Sequence, residues 1–331
     1  MTALTAPAAA PASAQAPAPH LLRWLIRLHR PALYIWAALV VVTAATLLWL
    51  GGPLTDNAVA AWREYNACRT ATCAYDQDSI LLYKDVYNYA TFAVLVVPFL
   101  IAAWAGASLI GRELENGTDR LAWTQSVSPA RWLAAKLALP ATLVTAGTGL
   151  LVLLHHLAWS AGQRQIDTAK PWHDSFTFYA GGPVTVALAL TGLLAGALAG
   201  LVLRRSLAAL GAGAVAVTAL WLGINQALPH LWPTVTRLSS LRNGPSLEGM
   251  VVGDYGLMTS SGDRVADPRC GGVLVSECRP VMERLDATAY YADIHPASHY
   301  WPLQLTATAV VLAVAAVAAL IAFRLVRRRT G

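Results

Sequence analysis

Residues 111–136 read GRELENGTDRLAWTQSVSPARWLAAK. This polar stretch lies between two strongly apolar runs and carries dense helix punctuation. An apolar run ends at Ile110, and charge begins at once with Arg112, Glu113 and Glu115. Gly117 is placed to end that helix, because glycine enters the left-handed cap conformation without a steric penalty. Thr118 can then cap a short helix whose first turn holds Asp119 near the positive end of its dipole. Leu121, Ala122 and Trp123 give that helix an apolar side. Ser128-Pro129 is a second start signal, a capping hydroxyl followed by proline at the first helical position. The stretch therefore reads as helix exit, short helix at a membrane surface, helix re-entry. A plain helix–helix turn needs roughly 2–8 residues, and this one is far longer, so it is shaped to be pushed by something outside the membrane. Its breaks are Gly117 and Ser128-Pro129; Glu113, Asp119 and Arg131 offer charge to the groove of a soluble partner.

Working outward, the 331-residue chain is 56% hydrophobic and only 13% charged, where a soluble domain carries about 25% charged residues. Apolar runs of about 20 residues, the length that crosses a bilayer core, recur six times, at 31–50, 89–110, 132–157, 178–203, 207–228 and 303–326. With both termini on one side, that side holds thirteen of the 24 basic residues but three of the 18 acidic ones. Basic loops stay inside, so both termini and the 111–136 stretch are expected to be cytoplasmic. The net charge of +6 is then a topology signal; no basic patch is interleaved with aromatics, and no nucleic-acid partner is expected.

The chain divides in sequence as follows. Residues 1–19 are an Ala/Pro-rich tail of disordered composition. Residues 20–30 repeat arginine at helical spacing (Arg23, Arg27, Arg30) and read as an amphipathic helix on the inner membrane surface, either anchoring the first span or contacting a partner. Residues 31–228 carry spans one to five, 51–88 forming a polar outer loop. Residues 229–302 form an outer region long enough for a small ordered cap. Residues 303–331 are the last span and a basic tail.

Cys68, Cys73, Cys270 and Cys278 all fall on the expected outer side, where disulfides persist. Local pairs are the preferred connectivity of the three possible. The spacings do not suit a metal site. His155-His156, at the end of the third span, invite a metal or proton-relay reading; anchoring at the outer interface is favoured. Gly192, Gly196 and Gly200 form a small-residue stripe for close helix approach, toward a neighbouring span or a second copy of the chain. Asn225-Gln226 are polar residues near the outer end of the fifth span.

Catalytic motifs are missing: no GxxxxGK[ST] phosphate loop, no HExxH, no GxSxG. The six apolar runs contain no aspartate or glutamate, which argues against an ion-coupled secondary transporter. No catalytic residue and no metal or cofactor bound by this chain is expected.

Glu113, Glu115, Gly117, Thr118, Leu121, Thr124, Ser128, Arg131, Trp132 and Lys136 stand at the spacing of a recurring signature. On these residues the chain resembles the permease subunits of type 2 ABC exporters. Six spans, a preceding amphipathic helix and a long outer insert before the last span extend the resemblance weakly over the whole chain. Arginine outnumbers lysine 21 to 3, which looks like a high-GC bacterium. The resemblance implies an all-α six-span half-transporter in the plasma membrane, working as a homodimer or heterodimer of permease chains among membrane lipids. It also implies a separate ATPase subunit that binds ATP and Mg. The coupling segment is 111–131, with Glu113, Glu115, Gly117, Thr118, Asp119, Leu121, Thr124 and Arg131 as ATPase-coupling residues. Spans two and five of such permeases line the pathway, which makes Trp104, Ser108, Asn225 and Gln226 the pathway candidates. An apolar pathway suits a lipophilic or amphipathic substrate. The alternative is a membrane scaffold or signalling partner that binds its ligand through the outer region and needs no ATPase.

Overall fold

The structure, a computed structural model, describes residue 27 and residues 29–69, 74–117, 128–268 and 275–328. It divides into two compact units, Met1–Val41 and Val42–Gly331. In the first unit the Leu33 amide donates to the His29 carbonyl at 3.0 Å. Helix α1, Arg30–Trp49, starts there and exposes Tyr34 and Ile35. Most of the amphipathic helix expected at 20–30 lies outside the described residues.

Among the described residues, six helices are long and apolar enough to cross a membrane: Arg30–Ala67, Gln77–Glu115, Pro129–Gly162, Pro183–Leu203, Ser206–His230 and Ala297–Arg328. They depart from the sequence reading in two places. The 51–88 segment is largely helical, not a polar loop. The chain bends through a wide turn at Leu50–Leu54, where Pro53 lacks an amide proton and Gly52 leaves helical geometry. It then continues as α2, Thr55–Ala67. Helix α3, Gln77–Trp104, begins well before the apolar run because Asp76 caps it, accepting the Ser79 amide at 3.0 Å. The bonds from Ser79 hold the Asp76 carboxyl below its ordinary range.

The second departure is at residue 178. The apolar run from 178 to 203 is two helices, α6 (Ser175–Ala180) and α7 (Pro183–Leu203). Gly182 is extended and Pro183 takes the first helical position, so a new helix starts where hydropathy shows no break.

Helix α3 passes through a widened, π-type stretch at Ala105–Gly111 into α4, Arg112–Glu115. Helix α5 is Pro129–Gly162 and α8 is Ser206–Ala227. Between α7 and α8, Arg204 takes a left-handed conformation, φ 53°, and makes a very short turn. Helix α10, Tyr300–Arg328, closes the chain.

Helix α7 is the centre of the second unit, packing against α10, α3, α8 and α5. Its glycine stripe sets the approach. A Cβ on Gly192 would lie 2.5 Å from the Pro98 carbonyl oxygen, and one on Gly196 would overlap that of Ala102. Gly200 meets Ile110. The stripe therefore serves a neighbouring span, α3, where the absence of side chains lets two backbones approach.

Residues 229–302, whose fold the sequence leaves open, add a sheet to the otherwise helical chain. Strands β1 (Val235–Ser240), β2 (Met250–Thr259), β3 (Arg264–Ala266) and β4 (Ala287–His295) pair in the order β1-β4-β2-β3. All three pairings are antiparallel. Helix α9, Val275–Arg284, packs on the sheet through Cys278 and Met282 against Leu257 and Tyr290. This gives the small cap its own core.

Candidate functional site

The described feet of the 111–136 stretch are joined to three helices. Lys136 on α5 is 2% exposed in an apolar setting that a bare ammonium could not occupy. It donates to the Leu109 carbonyl at 3.1 Å, pairs with the Glu113 carboxylate, and lies 5.0 Å from the centre of the Trp132 ring. The widened α3 stretch is what brings Leu109 and Glu113 to one cation. Glu115 reaches the other way. Its Oε2 accepts the Ser206 amide at 3.0 Å, one of the free donors at the start of α8. Gly106 and Gly111 make room for this junction. A Cβ on Gly106 would lie 2.5 Å from the Ala209 carbonyl oxygen, and one on Gly111 would lie 2.9 Å from Ser206 Cα.

The punctuation is where the sequence reading puts it. Gly117 has φ 69° and ends the helix. Ser128 caps α5, accepting the Arg131 amide at 3.4 Å, with Pro129 next. The Arg131 side chain is exposed. Glu113, read as charge for a soluble partner, and Glu115, expected only as a coupling residue, make contacts inside their own chain. Thr118, Asp119, Leu121 and Thr124, and with them the expected short helix at 119–127, lie outside the described residues. Sequence reasoning passed over the Glu113–Lys136 pair and Ser206. The available signal was Lys136 itself, one of only three lysines and set in an apolar run, where a cation needs a partner.

The four pathway candidates do not form one cluster. Trp104 at the end of α3 and Ser108 on the widened stretch after it are half-buried, near Gly106 and Ala209. Asn225 lies 16 residues beyond Ala209 on α8, about 24 Å along a helix axis. There its Oδ1 accepts the Ser175 hydroxyl at 2.6 Å, while Gln226 is exposed.

Around Asn225, at the sheet end of the helices, neutral groups predominate. His155 is fully buried, and its Nε2 lies 2.8 Å from the Thr91 hydroxyl. Of the paired histidines, only His156 fits the interfacial reading: it is ringed by Trp159, Tyr300 and Trp301. The Tyr87 and Thr177 hydroxyls meet at 2.9 Å. The Tyr300 hydroxyl donates to the Gly181 carbonyl at 2.7 Å and Gln304 Nε2 to that of Phe178 at 2.6 Å. These last two bonds fasten α10 to the α6–α7 break. Cys68 and Cys278 are disulfide-bonded; Cys73 and Cys270 lie outside the described residues. No group of three or more potential metal ligands occurs among the described residues.

Among the described residues, six helices long and apolar enough to cross a membrane, with α7 packed against four of the others, mark a multi-pass membrane protein. A family model described as ABC-2 membrane transporter related matches residues 37–228, and the chain belongs to that family. It is therefore a membrane transport permease of the ABC-2 type, a class that works with an ATPase. The match ends at Leu228, where the helical core gives way to the sheet. No curated protein and no solved structure matches the chain.

Proposed function

We propose that this chain is the membrane-spanning half of an exporter driven by ATP that a separate subunit hydrolyses. The observation that carries the reading is the double tie at the foot of the 111–131 segment. Glu113 binds Lys136 of α5, and Glu115 binds the first amide of α8. A push on the segment between Gly117 and Ser128 is delivered at once to α3, α5 and α8. A plain surface loop needs neither tie. The ATPase docks on this segment, with Thr118, Asp119, Leu121, Thr124 and Arg131 as its contacts, and holds ATP and Mg itself. Glu113, Glu115 and Gly117 transmit its closure. The segment and both termini face the cytoplasm of a bacterial cell, and the sheet faces outward from the plasma membrane. A second permease chain, identical or related, completes the pathway. Trp104 and Ser108 line it near the cytoplasm and Asn225 and Gln226 near its outer mouth. The scarcity of charge along it supports a lipophilic or amphipathic substrate.

The test is to purify the chain with its ATPase in mild detergent and to measure ATP-driven transport in vesicles. Gly117→Pro and Arg131→Glu should leave the chain folded and inserted while lowering transport per ATP at least tenfold. Normal transport in both variants would overturn the coupling assignment. Recovery of the folded chain with no ATPase would favour the scaffold reading instead.

A further inference from the structure

At the sheet end a cavity of about 300 Å³ opens between α3, α6 and the connection preceding α6. Its lining is divided by chemistry. The rim carries one cation and one anion, Lys170 and Asp174, with Nζ and Oδ2 3.7 Å apart. The inner wall carries hydroxyls, Tyr87, Thr91 and Thr177, all buried. The rest of the lining is the exposed Asn88 and an apolar wall of Phe92, Leu95 and Phe176. Phe92 and Phe176 are 68% and 55% exposed, so this wall opens sideways, where a spanning helix meets lipid.

Two observations place the rim at headgroup depth. The Trp159 indole N–H donates to the Lys170 carbonyl at 2.9 Å, and Gln163 Nε2 donates to the same oxygen at 3.0 Å. Trp159 belongs to a ring cluster with Tyr300, and Tyr300 meets Trp172 and Trp301. Such aromatic clusters gather at the boundary between headgroups and acyl chains. From Tyr87 to Leu95 is eight residues along α3, about 12 Å deeper. The cavity thus runs from charged rim through hydroxyls to hydrocarbon, the order of groups in a phospholipid.

We propose that this cavity is a binding site for one phospholipid with a zwitterionic amine headgroup. The phosphate sits on Lys170 and the amine on Asp174. The ester region lies against the Tyr87 and Thr91 hydroxyls, which retain hydrogen-bonding capacity beyond their present partners. The first part of an acyl chain follows Phe92 and Leu95. The volume holds roughly ten water-sized groups, enough for a headgroup and the start of one chain, while the rest remains in the bilayer. The Lys170–Asp174 pair is loose and partly exposed, so it contributes little by itself and can be traded for a headgroup of complementary charges. A purely anionic headgroup would meet the Asp174 carboxylate.

Native mass spectrometry of the full chain in detergent tests this, with phosphatidylethanolamine and phosphatidylglycerol of identical acyl chains as probes. The chain should retain one phosphatidylethanolamine, at least tenfold more than phosphatidylglycerol. Asp174→Asn preserves a helix-capping side chain and should abolish the preference between the two headgroups. Lys170→Gln and Leu95→Trp should each lower retention at least tenfold without changing the thermal unfolding midpoint by more than a few degrees. Equal retention of both lipids by the unaltered chain would overturn the headgroup assignment. Retention unchanged in both Lys170→Gln and Leu95→Trp would overturn the site.

Discussion

The two ends of the helical body are closed by different chemistry. At the end near Gly111 one nearly buried ammonium holds α5 to α3, through the Leu109 carbonyl and Glu113, and a second carboxylate from the same short helix starts α8. At the sheet end the buried ties between helices are neutral: Thr91 to His155, Tyr87 to Thr177, Tyr300 to Gly181, Gln304 to Phe178. Removing one member of a buried ion pair strands a charge and costs about 3–5 kcal/mol, whereas a neutral hydrogen bond contributes about 1 kcal/mol. Sensitivity is therefore concentrated at one end in a single side chain and spread at the other over many. An end that receives force needs a stiff connection at a defined point; an end that only closes the structure does not.

Lys136→Met should break this contrast most strongly. Glu113, 20% exposed, keeps some contact with water, so the low end of the range applies, about 3 kcal/mol of stability. Thermal unfolding in detergent would show it, and transport per ATP should fall with it. Exchanging the charges, Glu113→Lys with Lys136→Glu, should return at least half of the lost stability. A Lys136→Met chain that melts like the unaltered one would mean that the ammonium contributes nothing at this junction.

At the sheet end, Thr91→Val should cost about 1–2 kcal/mol, because a fully buried ring nitrogen of His155 loses its partner. Thr91→Val combined with His155→Phe should be milder than Thr91→Val alone, since both polar groups then leave together. The same unfolding measurement decides. If Thr91→Val costs as much as Lys136→Met, the two ends do not differ in the way their chemistry implies.

Much of this was legible in the sequence, for reasons that differ by region. The spans were, because hydropathy is a property of composition. The junction's punctuation was, because Gly117 and Ser128-Pro129 act through local geometry alone. The glycine stripe announced close packing but not its partner, which only the fold supplies. Helix α2 was missed because an amphipathic helix beside a membrane has the composition of a loop, and the α6–α7 break because Gly182-Pro183 interrupts the backbone without interrupting hydropathy. The sheet was hidden by its short, exposed β1 and β3 and by the irregularity between Val251 and Tyr255. The partners of Lys136 were also out of reach, since residues 23 and 27 positions away meet it only after two helices have folded back.

The smallest expected effect sharpens the comparison from the cap. Arg264 pairs with Asp293 at 2.8 Å across the sheet, over the ring of Tyr291, and Thr236 donates to the same carboxylate. The Thr236 bond first, and Arg264 after it, hold the Asp293 carboxyl below its ordinary value of 3.8. Because the folded value is the lower one, this contribution is present above pH 3.8 and is lost as pH falls through the folded value. Both side chains are partly exposed, so it amounts to a few tenths of a kcal/mol and weakens with salt. Asp293→Asn should therefore lower the unfolding midpoint slightly at neutral pH and low salt, and the difference should shrink on acidification or in 1 M salt. A loss as large as that of Lys136→Met would place a second stiff connection in the cap, and the sheet could no longer be regarded as a part that only closes the structure.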